Sequence, residues 1–153
     1  MKNSTVGIVL VLIAALLVSC TWDDISGSGV LTTENRELNA FIAVSVDGIA
    51  NVNIVQGNAQ NVKIMADDNI IGLVKTEIKD GILEIYLTSG HNYKNIDVNL
   101  DIMAKALNGV ANKGSGTLKV ANVDSQEFYL DNMGSGNISI SGASNKLSIE
   151  NEG

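Results

Sequence analysis

From about Arg36 onward, branched aliphatic residues alternate with polar ones at a period of two. Val44 and Val46 flank Ser45, Val52 and Ile54 flank Asn53, and Val62 and Ile64 continue the pattern. Val74, Thr76 and Ile78 follow, then Leu83, Ile85 and Leu87. The cleanest run is Ile96, Val98, Leu100 and Ile102, with Asp97, Asn99 and Asp101 between them. Successive side chains of a strand point to opposite faces, so each run predicts a strand with one buried face and one wet face. Turn chemistry separates the runs at Asp47-Gly48, Gln56-Gly57-Asn58, Asp80-Gly81 and Ser89-Gly90. Asp80-Gly81 between two alternating runs predicts a hairpin. Residues 69–75 and 102–107 have weak helical character, and the first reads better as a turn entering a strand. The chain is expected to be all-β.

A longer period overlies the short one. Gly114-Ser115-Gly116 and Gly134-Ser135-Gly136 open matching blocks, each closed by a second short strand. Glycines 114, 134 and 153 step by 20 and then 19, as do Asn112, Asn132 and Asn151. Repeats of this size are units that bury their apolar faces by stacking, so the period predicts a β-solenoid with coils of about 20 residues. Leu118/Val120 would lie over Ile138/Ile140, and Phe128/Leu130 over Leu147/Ile149. The three asparagines would stack at one corner, amide on amide, and the glycines would keep that corner tight.

The N-terminus carries a different signal. Lys2 precedes an uncharged apolar run from Val6 to Val18, too short to span a membrane and of the right length for a signal peptide core. It ends in Leu17-Val18-Ser19-Cys20, which resembles the bacterial lipobox. That resemblance implies cleavage before Cys20 and acylation of Cys20, palmitate-type chains anchoring the protein to a membrane. Cys20 is the only cysteine, so it has no disulfide partner within the chain. The expected organisation is a signal peptide over 1–19, a lipid-anchored flexible tether over 20–35 and a β domain over 36–153. Asp23 and Asp24 stand behind rather than beside the cysteine, which resembles an outer-membrane address and the acidic tethers of surface-exported lipoproteins; a plain polar linker explains them too.

Residues 20–153 hold nine basic and 17 acidic residues, a net charge of −8, with Arg36 as the single arginine. That balance argues against nucleic acid, whose phosphates need clustered Lys and Arg.

With these features in view, the chain resembles the auto-transporter adhesin head GIN domain family. The resemblance rests on Phe41 through Gly48, on Ile49 through Gln56-Gly57, on Asp67 through Ile85, and on the Gly-Ser-Gly corners at 114–117 and 134–137, where Thr117 replaces the usual Asx. It implies a right-handed parallel β-helix with a less regular N-terminal β region. Family members run through further coils, so the coil ending at Gly153 is expected to present an open edge.

No catalytic set emerges. His91 is the single histidine and reads as an exposed loop residue rather than a triad member. One cysteine and one histidine are too few N and S ligands for zinc. Asp97 and Asp101 are explained by strand alternation, although paired carboxylates also serve glycoside cleavage. Asp67, Asp68 and Asn69 lack the ligand spacing of a calcium loop and read as a solvated turn. Tyr86, Tyr93, Tyr129 and Trp22 are candidate stacking surfaces. The expectation is therefore a non-catalytic, cofactor-free envelope lipoprotein that binds carbohydrate or protein at the cell surface. The alternative is an envelope assembly component that self-associates through its open C-terminal coil. A β-helix polysaccharide-degrading enzyme is a distant third.

Overall fold

The computed structural model describes residues 23–153. The signal segment, Cys20 and Trp22 lie outside the described residues. Twelve strands are formed: β1 (Asp23–Ser26), β2 (Leu31–Arg36), β3 (Ala43–Val46), β4 (Asn51–Gln56), β5 (Asn61–Asp67), β6 (Val74–Lys79), β7 (Ile82–Leu87), β8 (His91–Lys94), β9 (Val98–Ala104), β10 (Gly109–Asn112), β11 (Thr117–Asn132) and β12 (Asn137–Asn151). Among the described residues the one helical element is a 3-10 turn over Ile71–Leu73, and Ile102 to Ala104 finish a strand.

Ten strands join into one sheet of order β2-β5-β9-β4-β11-β10-β3-β7-β6, with β12 added beside β11, while β1 pairs with β8 apart from it. Pairings around β11 are parallel, whereas β2–β5, β5–β9 and β6–β7 are antiparallel. The sheet is thus a curled half-barrel of mixed strands. This overturns the expectation of a right-handed parallel β-helix. The step of about 20 residues stacks one strand on its predecessor only from β10 through β11 to β12, where Asn112 meets Asn132, Thr117 meets Asn137 and Asn132 meets Asn151. Upstream, tight turns reverse the chain instead of bending it. Asp80 and Gly81 both take positive φ, 51° and 78°, and fold β6 back on β7 as a hairpin.

Arginine 36 bridges the two ends of this curl. It closes β2, the first strand of the sheet order, while β6 is the last. Its guanidinium donates to the Val74 carbonyl at 2.7 Å, the Thr76 hydroxyl at 3.0 Å and the Ile71 carbonyl at 3.2 Å, with its side chain 16% exposed. An arginine fork provides several donors in fixed geometry, which suits a junction where carbonyls from two elements converge.

The segment expected to be a flexible tether supplies two strands. β1 pairs with β8 and β2 with β5. Between them, Gly27-Ser28-Gly29 is clamped by Asp67-Asp68-Asn69. The 2%-exposed Asp67 accepts from the Gly29 and Asp97 amides, each at 2.8 Å; Ser28 Oγ donates to Asp68 at 2.6 Å, and Asn69 donates to the Ser26 carbonyl at 2.8 Å. Their oxygens satisfy the protein's own donors, which is how a buried carboxylate is tolerated.

The core fills the inside of the curl. One apolar row runs Ile64, Leu100, Val52, Leu118 and Ile138; a second runs Val62, Ile102, Ile54, Val120 and Ile140. On the other wall Leu83, Val44, Val110, Leu130 and Ile149 are in register. Fully burying a side chain in these rows contributes roughly 1.5–3 kcal/mol; on β12 the rows end in half-buried Ile138 and Ile140 and exposed Ile149.

At the bend between the walls the chain passes through a column of glycines. A methyl at Gly114 would fall inside the backbone of Gly48, one at Gly134 inside that of Gly114, and one at Gly153 inside that of Gly134. The Asp47-Gly48 turn is therefore the first layer of the same corner. Beside it, buried Asn112 donates to Asn132 Oδ1 at 2.9 Å, and Asn132 donates to Asn151 Oδ1 at 2.9 Å.

Candidate polar groove on the outer sheet face

The residues that face away from the core on β5, β9, β4 and β11 form the most chemically diverse surface. Alternation turns the polar member of each pair outward, and strand adjacency then lines these members up across the sheet. Lys63, Asp101, Asn53, Lys119 and Ser139 form one register row. Met65, Asn99 and Asn51 form the next, extended by Thr117, whose amide donates to Asn51 Oδ1 at 3.3 Å. A shallow groove of about 500 Å³ lies there, lined by Asn51, Asn53, Met65, Asn99, Asp101, Thr117 and Lys119 among others.

Most of the hydrogen-bonding capacity in this groove is open to solvent. Asn53 Nδ2 reaches Asp101 at 3.5 Å, a long contact, and Asn99 donates to Asp97 at 2.6 Å. Neither Lys63 nor Lys119 forms an ion pair among the described residues. Donors and acceptors alternate at strand spacing, about 4.8 Å between neighbours, with exposed Met65 as an apolar platform among them. Chemically, such rows can offer many weak hydrogen bonds to a hydroxyl-rich molecule. It does not assemble a nucleophile with a base.

A second, more apolar crevice of about 360 Å³ lies between Ile49, Tyr86, Leu87 and Tyr93. Two of the candidate stacking residues meet there, while Tyr129 sits apart on β11. The Tyr86 phenol is held above its ordinary pKa by its bond to Glu77, whose carboxyl is lowered by the same bond. Burial raises Tyr93, whose hydroxyl donates to the Thr88 carbonyl at 2.7 Å. His91 begins β8 and is half-buried instead of lying exposed in a loop; its ring packs edge-on against Tyr93 at 5.9 Å. Among the described residues no three of His, Cys, Asp and Glu group as metal ligands.

Alternation alone marks Asn51, Asn53, Lys63, Asn99, Asp101 and Lys119 as outward. It could not group them, because β9 inserts between β4 and β5 and β11 arrives from the far end of the chain.

Residues 40–153 match the family described as "Putative auto-transporter adhesin, head GIN domain". The chain belongs to the head GIN domain family. Solved structures share the fold. A "putative adhesin" of Bacteroides fragilis superposes with a TM-score of 0.73 at 22% identity, covering 82% of this chain and 60% of its own. A "putative adhesin" of Parabacteroides merdae gives 0.64 at 20% identity, covering 83% and 61%. A "putative lipid binding protein" of Parabacteroides distasonis gives 0.67 at 18% identity, covering 83% and 63%. This head GIN chain thus spans about 60% of the length of those proteins. No protein with a curated description matches it in sequence.

Proposed function

We propose that this head GIN protein is a non-catalytic binding module of the cell envelope that holds carbohydrate in the groove across β5, β9, β4 and β11. The observation that supports this reading most directly is the double row of largely unengaged amides and charges around Met65. A sugar presents hydroxyls at its rim and C–H groups on its faces, and matches amide rows beside an apolar platform. The family description as an adhesin and the lipobox ending in Cys20 agree with a lipid-anchored protein at the outer membrane, facing outward. An anchor at Cys20 would stand three residues before β1, leaving little slack between membrane and sheet.

The test is a glycan array, with affinities of the hits measured by calorimetry. Asn53→Ala and Asp101→Ala should each weaken binding about tenfold, roughly 1.4 kcal/mol, without altering the circular dichroism spectrum. Binding untouched by both substitutions, or capture of proteins with no glycan hit, would remove the carbohydrate reading. Palmitate labelling and protease shaving of cells carrying wild type or Cys20→Ala test the anchor separately.

A further inference from the structure

The other wall of the sheet carries a trough on its outer face. There β7, β3, β10 and the last part of β11 run parallel and in register, so the side chains turned away from the core fall into rows. The first row is Ile82, Ala43, Gly109 and Tyr129, and the second is Glu84, Ser45, Ala111 and Asp131. Tyr86, Asp47, Lys113 and Met133 follow as a third, because the Asp47, Lys113 and Met133 amides continue the ladder by donating to the Ile85, Val46 and Asn112 carbonyls. In the first two rows the middle strands carry only small residues, whereas β7 and β11 carry large ones. The result is a low floor two strands wide between raised rims whose backbones stand about 14 Å apart.

This trough holds acceptors that lack donors. Ser45 is 8% exposed and its hydroxyl has no hydrogen-bond partner among the described residues, yet it borders a crevice of about 120 Å³ with Asp47, Glu84, Tyr86 and Lys113. Asp131 Oδ1 is buried without a partner. Glu84 Oε2 accepts from Lys79 at 2.8 Å, and its Oε1 has no partner among the described residues. Lys79 is shared between Glu77 and Glu84, and Lys113 lies one row away beside Asp47. Unmet hydroxyl and carboxylate oxygens favour a group that only donates, which is the chemistry of an ammonium or a guanidinium.

We infer that the trough binds an extended basic segment of another protein, with a lysine or arginine side chain lying over Ser45 between Glu84 and Asp131. Spacing selects a peptide over a free amine. The rows repeat every second residue, about 6.6 Å, which is also the step between same-side side chains of any extended chain. With the cation in the middle row, the residue two positions to one side lies over Gly109 between Ile82 and Tyr129, which are 39% and 50% exposed. Two positions to the other side, the segment reaches the apolar crevice of Ile49, Leu87 and Tyr93, which shares Asp47 and Tyr86 with the crevice at Ser45. The pattern recognised is thus apolar, any, basic, any, apolar. The acidic balance of the chain draws such a segment in. Trough and carbohydrate groove use different strands and different parts of β11, so the two sites act independently.

Fluorescence anisotropy with a labelled leucine-serine-arginine-serine-leucine peptide tests the site. The peptide should bind saturably, and exchanging its arginine for glutamate should weaken binding at least about tenfold. Ala111→Lys places a cation on the floor and should abolish binding; Asp131→Asn, which keeps the shape, should weaken it about tenfold, each with an unchanged β spectrum. No binding of the arginine peptide, equal binding of the glutamate peptide, or binding that survives Ala111→Lys overturns the site. Competition by 1,5-diaminopentane as strong as by the unlabelled peptide overturns the peptide as occupant. Asn53→Ala should leave peptide binding unchanged and Ala111→Lys should leave glycan binding unchanged, which separates failure of this site from failure of the groove.

Discussion

Single residues decide whether neighbouring layers can approach. At Gly134 an added methyl would occupy the position of the Gly114 carbonyl, and at Gly114 it would meet three backbone atoms of Gly48. Backbone cannot swing aside as a flexible side chain can, so the whole layer must move. Gly114→Ala and Gly134→Ala are each expected to cost about 3 kcal/mol, at the upper end of overpacking penalties. Urea unfolding midpoints would measure both, and equal, negligible losses would show that the corner opens freely. The spacing of these glycines was readable at once. Their partner Gly48 was not, because it sits 66 positions upstream in a turn outside the repeat.

At the level of elements, polar clusters tie strands that the core alone leaves loose. On β11 and β12, Glu127 accepts from Tyr129 at 2.8 Å and Lys146 at 3.3 Å, and both bonds hold its carboxyl below the ordinary value. On β1, bonds from Lys94 and Asn92 lower Asp24 in the same way. A carboxyl with a depressed folded pKa contributes stability that is present above its unfolded value and lost as pH falls through the lowered one. The hydroxyls of Tyr86 and Tyr129, raised by their glutamate partners, contribute stability below about pH 10 that is lost at higher pH. The urea midpoint should therefore be level near neutrality, fall as pH drops below about 4.5 and fall again above about 10. Lys94→Met should flatten part of the acid limb; an unchanged limb would show that β1 does not draw on that pair. The strands themselves were legible from alternation, and so was the Asp80-Gly81 hairpin. β1 and β2 were not, because 20–35 is short of branched aliphatics and is held by pairing with β8 and β5 and by the Asp67 clamp, with Ile25 alone packing on the core from β1.

For the whole molecule, the decisive contact is the one that bridges the sheet across its ends. Arg36 donates to three oxygens contributed by Ile71, Val74 and Thr76. Hydrogen bonds to a charged group contribute about 1.5–3 kcal/mol each in favourable cases, and stranded carbonyls add a desolvation cost when the donor is removed. Arg36→Met keeps much of the stem and is expected to lower stability by about 3 kcal/mol, with faster hydrogen exchange in β2 and β6 than in β4 or β9. Uniform exchange throughout would mean that the ends are held by packing alone. Sequence pointed to Arg36 only as the lone arginine in an acidic chain.

The sequence by itself determined that the chain is all-β, which residues face inward, where the tight corners fall and which family it belongs to, since those depend on period, composition and local turn chemistry. The tertiary structure decided the direction of each strand, the insertion of β9 between β4 and β5, the curl bridged by Arg36 and the gathering of the groove from four strands. Alternation is the same for parallel and antiparallel neighbours. Two visible repeats therefore pointed to a helix of coils, while the turns upstream of them reversed the chain and built a mixed half-barrel.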